Sequence, residues 1–169
     1  MKSDELRALQ APIKESYREN PEKALITLRA KGRIGEGITC KVETGKALAE
    51  AGLHEAAGGD GLTLCSGDLL LEALVACAGV TLGSVATAIG VELRDAVVRA
   101  EGDLDFRGTL AVSKEVPVGF QNIRLSFDLD TDATEEQLST LIRLTERYCV
   151  VLQTLQHAPH MDVQRSVLQ

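Results

Sequence analysis

The chain has no tryptophan and holds only three phenylalanines and two tyrosines among 169 residues. An aromatic core is therefore excluded, and the interior must be built from Leu, Val and Ala, within a composition that is 44% hydrophobic and otherwise ordinary for a globular protein. Lys and Arg never run four together and the net charge is −7. Such a surface repels phosphate backbones and anionic headgroups, which excludes nucleic acid and membrane surfaces as expected partners. The first residues, MKSDELRALQAPIKESYRENPEK, contain no apolar signal segment, so no export is expected and the cytoplasm is the expected location. There is no Cys-x2-Cys pair and no His-x3-His spacing, so no metal site is expected.

What the sequence does have is one long apolar run, SGDLLLEALVACAGVTLGSVATAIGV, from Ser66 to Val91. Ser66 offers an N-cap, Asp68 places a negative charge in the first turn, and Gly90 supplies a stop, predicting a helix over Asp68–Ile89. It is long enough to cross a bilayer. Yet it carries Glu72, two glycines, Thr81, Ser84 and Thr87 between strand-like segments, and reads as the buried central helix of a globular fold. Cys77 sits in its middle, sharing a face with Leu70, Ala73, Thr81 and Ser84. Gly79 and Gly83, four apart, would let another helix approach closely.

Length predicts one domain. The first twenty residues read as a short amphipathic helix broken near Pro12, giving an N-terminal helical extension over 1–23 and a main domain over 24–169. ALITLRAKGRIGEGITCKVETG reads as a hairpin bending at Gly35 and Gly37, and the Ala- and Gly-rich stretch that follows reads as a loop with one helical turn. VELRDAVVRAEGDLDF and VGFQNIRLSFDLDTD alternate at period two and predict long antiparallel strands. Thr134 with Gln137 forms a capping-box signature that opens a helix to about Tyr148. The apolar segment CVVLQTLQ follows, Pro159 stops it, and HMDVQRSVL predicts a terminal strand. The fold class is α+β.

Four cysteines, Cys40, Cys65, Cys77 and Cys149, fall by default in a reducing compartment, where a thiol is a packing residue, a catalyst or a ligand before it is a disulfide. Cys77 and Cys149 are 72 residues apart, and periodicity does not say whether they meet. Cys65, just before the long helix, reads as packing or as a third redox thiol, and Cys40 as core. Glu72 reads as a boundary residue, and His157 and His160 as turn residues around Pro159.

The run GDLLLEALVACAGVTL resembles the first-cysteine helix of the OsmC/Ohr family of thiol-dependent peroxidases, and YCVVLQTL resembles its second-cysteine segment. The order of elements matches that family from about Ala24 to Leu168. The resemblance implies antiparallel sheets around long central helices in an intertwined homodimer, with the site at the subunit interface. Cys77 would be the peroxidatic thiol attacking an organic hydroperoxide or hydrogen peroxide, and Cys149 the resolving thiol, with an external dithiol as reductant and no cofactor. Such chemistry needs a thiolate, and burial opposes ionisation. In the family an arginine from the loop before the first-cysteine helix offsets that cost, held by a carboxylate that corresponds to Asp68 here.

The chain departs from this pattern twice. No arginine occurs between Arg33 and Arg94, which leaves His54, or more weakly Lys46, at the loop position. His54 equally reads as a solvent-exposed loop residue. Val150 stands where the family has proline after its second cysteine, which predicts Cys149 deeper inside its helix. Three readings stay open: a thiol-dependent hydroperoxide reductase, a dimer of the same fold that binds a small apolar ligand without turnover, and a metal-binding thiol protein using cysteines and His54.

Overall fold

The structure, a computed structural model of one chain, describes residues 3–34, 40–42, 51–62 and 64–165. Helix α1 runs Ser3–Glu19 with Pro12 inside it. The break expected at Pro12 does not occur. Proline removes one backbone donor, and the turn beyond it is anchored by Ile13 and Tyr17 in a small cluster with Ala24, Ala57, Phe106 and Leu110.

After a 3-10 turn at Pro21–Ala24 comes β1, Leu25–Ile34, paired antiparallel with β2, Cys40–Val42. The hairpin is as expected, while its bend at Gly35 and Gly37 lies outside the described residues. Strand β3, Ala51–Gly52, lies parallel to β4, Leu64–Cys65, with a 3-10 turn at Glu55–Ala57 between them. Helix α2 spans Ser66–Ile89. It is followed by β5 (Asp95–Asp105), α3 (Phe106–Thr109), β6 (Phe120–Asp130), α4 (Glu135–Tyr148) and α5 (Val150–Gln156). The main sheet is ordered β2-β1-β5-β6, antiparallel at every pairing.

Both ends of α2 follow from local chemistry. Gly90 closes it at φ 72°, a left-handed conformation that glycine adopts without penalty, and its N–H reaches back to the Ala86 and Thr87 carbonyls. At the other end Ser66 is the first helical residue and not the cap. Cys65 caps the helix, without a side-chain hydrogen bond, because as the last residue of β4 it enters the helix already extended. The Thr134 capping box forms as expected: Gln137 N–H donates to Thr134 Oγ1 at 3.3 Å and Thr134 N–H to Gln137 Oε1 at 2.9 Å.

One face of α2 packs on the sheet and on α4 and α5. Leu71, Leu74, Val75, Ala78 and Leu82 are fully buried together with Val98, Ala100, Leu141 and Cys149. The far side of the sheet carries exposed cross-strand ion pairs, Arg99 with Asp128, Arg124 with Asp103 and Glu101, and Arg33 with Asp95, which keep that face solvated and individually add little stability. The other side of α2 is uncovered. Leu70, Val80 and Ile89 are 37–38% exposed, with Ala73 and Ser84 open beside them. Gly79, expected to meet a like helix, is already buried within the chain, and Gly83 is partly buried.

The expected terminal strand is absent among the described residues. His160–Arg165 is irregular, and Met161 and Val163 are 78% and 97% exposed, so their alternation has no neighbouring strand to pair with. Because Leu82 is fully buried, Leu82→Ala should lower unfolding free energy by about 2–5 kcal/mol in urea titration, whereas Thr134→Ala, which opens the capping box, should cost only about 1 kcal/mol.

Candidate thiol site

Cys149 lies at the break between α4 and α5, with φ −71° and ψ 104°, and not deep inside a helix as the missing proline suggested. Both helices still claim it. Its N–H donates to the Thr145 carbonyl and its own carbonyl accepts from Gln153 N–H, each at 2.9 Å. The break turns its side chain inward, fully buried, while Tyr148 and Val150 on either side are 57% and 70% exposed. A helix can bend without proline when one side chain is drawn into a core and its neighbours are left in water.

There the Cys149 thiol is within electrostatic reach of Cys77, which packs against the same core. All three thiols whose side chains are described, Cys65, Cys77 and Cys149, are free. Cys77 is half-buried, on the side of α2 that turns toward the uncovered strip. Burial pushes the Cys149 thiol up to about 11; the neighbouring Cys77 adds to the rise, and the amides of Leu152 and Val151 at the start of α5 oppose it. Cys149 therefore remains a protonated thiol at neutral pH.

His54 and Asp68 form a second centre at the start of α2. His54 caps the 3-10 turn, its Nδ1 accepting from the Ala56 N–H at 3.0 Å, so the neutral ring carries its proton on Nε2. Its ring lies 5.0 Å from that of Phe106. Burial raises the Asp68 carboxyl and His54 offsets part of that rise, which places the two groups within electrostatic reach. Glu72, one turn on, is raised by burial and by the Asp68 charge. The turn depends on Gly58, at φ 91°, and on Gly59, where a Cβ would collide with the Leu53 carbonyl.

Next to this centre is a pocket of about 380 Å³, lined by His54 and Cys65 and walled by Leu70, Phe106, Val118 and Phe120. Cys77 is not in its lining. Asp68 and Cys77 are nine residues apart, about 14 Å along the helix axis. One chain thus holds two separate half-sites, a thiol pair and a His54–Asp68 pair beside an apolar pocket. The aromatic wall escaped the sequence reading, although a signal existed: of five aromatic residues, Tyr17, Phe106 and Phe120 gather around the His54 turn. Lys46 lies outside the described residues, as does the side-chain environment of Cys40, whose backbone opens β2. His160 pairs with Asp162 at 3.1 Å in solvent and His157 closes α5, both turn residues as expected.

A mixed fold built around one long central helix is shared with solved structures. The chain is similar to an OsmC-like hydroperoxide resistance protein from Jannaschia sp. CCS1, with TM-score 0.62 and 16% identity over 85% of this chain and 95% of that one. It is also similar to an OsmC-like protein from Mycoplasma pneumoniae, with TM-score 0.55 and 14% identity over 79% and 86%. Residues 58–164 match the family model described as OsmC-like protein, and the chain belongs to that family. α2 is therefore the central helix of an OsmC-like fold, long and apolar as it is. No curated protein gives a significant match.

At pH 7.5, a rise from 9.0 to about 11 leaves Cys149 with about a hundredth of the thiolate of an unperturbed cysteine. Timed iodoacetamide labelling with peptide mapping should find Cys149 modified at least about tenfold more slowly than Cys65 in the reduced, folded protein. The Cys149 rate should climb only as pH approaches about 11. Burial of the neutral thiol favours the fold below the ordinary thiol pKa, and that contribution is lost as pH rises through about 11.

Proposed function

We propose that this protein is a thiol-dependent hydroperoxide reductase in which Cys77 attacks the peroxide and Cys149 resolves the product. The observation that carries this reading is that Cys77, half-buried on α2, packs against the same core that fully buries Cys149 at a helix break, with the two thiols in electrostatic reach. Family membership and the hydroperoxide resistance protein among its structural neighbours support it.

The roles follow from the two environments. Cys149 holds its proton at neutral pH and is a poor first nucleophile, so the attack falls to Cys77. The Cys77 thiolate attacks the terminal peroxide oxygen, the O–O bond breaks, and the alkoxide leaves as an alcohol after taking a proton. Cys77 is then a sulfenic acid, two electrons more oxidised. The Cys149 sulfur displaces its hydroxyl, releasing water and forming the Cys77–Cys149 disulfide before further oxidation. An external dithiol returns both sulfurs to thiols.

A thiolate at Cys77 needs a hydrogen-bond donor or a charge to offset its burial. Asp68 of the same chain sits about 14 Å along α2 from that thiol, and Cys77 does not line the pocket that His54 walls, so this pair is not placed to serve it. A homodimer resolves this separation. A second copy laid against the uncovered strip of Leu70, Ala73, Val80 and Ser84 would bury its apolar surface and bring His54 of the partner subunit toward Cys77, held by Asp68 of the partner subunit. The apolar pocket beside His54 favours an organic hydroperoxide over hydrogen peroxide. That pocket, with histidine where the family has arginine, also supports a second reading, a dimer that binds a small apolar molecule without turnover.

One equivalent of cumene hydroperoxide added to the reduced protein should yield the Cys77–Cys149 disulfide by peptide mapping. Cys149→Ser should instead trap Cys77 as sulfenic and then sulfinic acid. Binding without oxidation of either thiol would establish the second reading.

Subunit mixing tests the shared site. Cys77→Ala and His54→Ala variants, each impaired alone, should recover about a quarter of wild-type turnover after random re-association, because half the dimers then contain one complete site. No recovery would mean that each chain builds its site alone.

A further inference from the structure

The residues that hold the His54 turn lie largely outside the segment matched by the family model, which begins at residue 58. Tyr17, near the end of α1, is only 6% exposed, and its Oη donates to the Ala56 carbonyl at 2.7 Å. One turn pair earlier, Gln10 Nε2 donates to the Ala57 carbonyl at 3.3 Å. Ala56 is the residue whose N–H binds His54 Nδ1. A single peptide-linked residue is thus held on both sides, its carbonyl by Tyr17 and its amide by His54.

On the other flank the His54 ring meets Phe106, which shares a buried cluster with Tyr17, Ala57 and Leu110. Tyr17 therefore reaches the imidazole by two routes, through the Ala56 peptide and through the Phe106 ring. Leu53, His54 and Ala57 are also pocket wall. α1 makes no comparable hydrogen bonds to the sheet or α2 among the described residues.

We propose that Tyr17 is a positioning residue, which fixes the ring of His54, and with it one wall of the apolar pocket, by tying α1 to the Ala56 carbonyl. The orientation matters because Nδ1 is occupied by the Ala56 amide, which leaves Nε2–H as the one ring donor free to face a ligand or a thiolate. A turn free to rotate would exchange the two tautomers and lose that direction. This inference rests on the reading of His54 as the group that serves Cys77.

Tyr17→Phe is the test, since it deletes one hydroxyl and keeps the ring in its cluster; Gln10→Ala weakens the second tie independently. The ring nitrogen-15 shifts of His54 report its tautomer, and cumene hydroperoxide consumption reports turnover. In wild type the shifts should be those of the Nε2–H form. Tyr17→Phe should move them toward a tautomer mixture and lower kcat/KM about fivefold, the size of one lost hydrogen bond, with a smaller fall for Gln10→Ala. Unchanged shifts overturn the proposal whatever the rate does, and so do altered shifts with an unchanged rate. If wild type itself consumes no peroxide, the peroxidase reading fails, and altered shifts in Tyr17→Phe still establish the positioning.

Discussion

The structure is organised around the need to bury α2 on more sides than one chain can cover. After Glu72 the helix carries no formal charge over seventeen residues to Ile89, so nearly every face of it is expensive to leave in water. The sheet, α4 and α5 take one face completely. The remaining strip, with Leu70, Val80 and Ile89, is of the kind that second copies cover in closed dimers. Cys77 lies along that boundary, packed against the intrachain core on one side and half-exposed toward the open strip on the other.

In the proposed mechanism that position would reconcile two demands that conflict in an ordinary core. A nucleophilic thiol must be shielded from adventitious oxidants and still be reached by substrate, and its partner must be close but chemically silent until needed. Full burial supplies the silence at Cys149, since desolvation keeps its proton in place. Half-burial would supply the access that the proposed nucleophile, Cys77, requires. Asp68 at the head of α2 cannot be placed nearer in the same chain, because a straight helix fixes the distance between its first turn and its fourth.

Where a feature was written in a local pattern, the sequence was legible. Thr134 and Gln137 marked the start of α4, Gly90 the end of α2, and period-two alternation the strands β5 and β6. Features set by distant packing were not. The break at Cys149 comes from the pull of a core that the heptapeptide around it does not display, and Pro12 is tolerated because Ile13 and Tyr17 dock elsewhere. HMDVQRSVL alternates like a strand, but alternation specifies a face and not a neighbour, and none is present for its described part. Of the candidate site, the two thiols were legible through their flanking runs, whereas their packing into one core and the aromatic wall near His54 depend on chain segments about 40 to 90 residues apart.

The small cluster beneath α1 is separate from the main core: Tyr17, Ala24, Ala57, Phe106 and Leu110 form one unit, and the residues around α2 another. Two cores of unequal size give a protein two opening transitions. The smaller unit buries few side chains and can open as a local event, at a free energy well below that of global unfolding, while the sheet and α2 stay closed. Amide hydrogens in the second half of α1 would then exchange through that sub-global opening, and a temperature that leaves the thiol pair packed could already have loosened the turn bearing the imidazole.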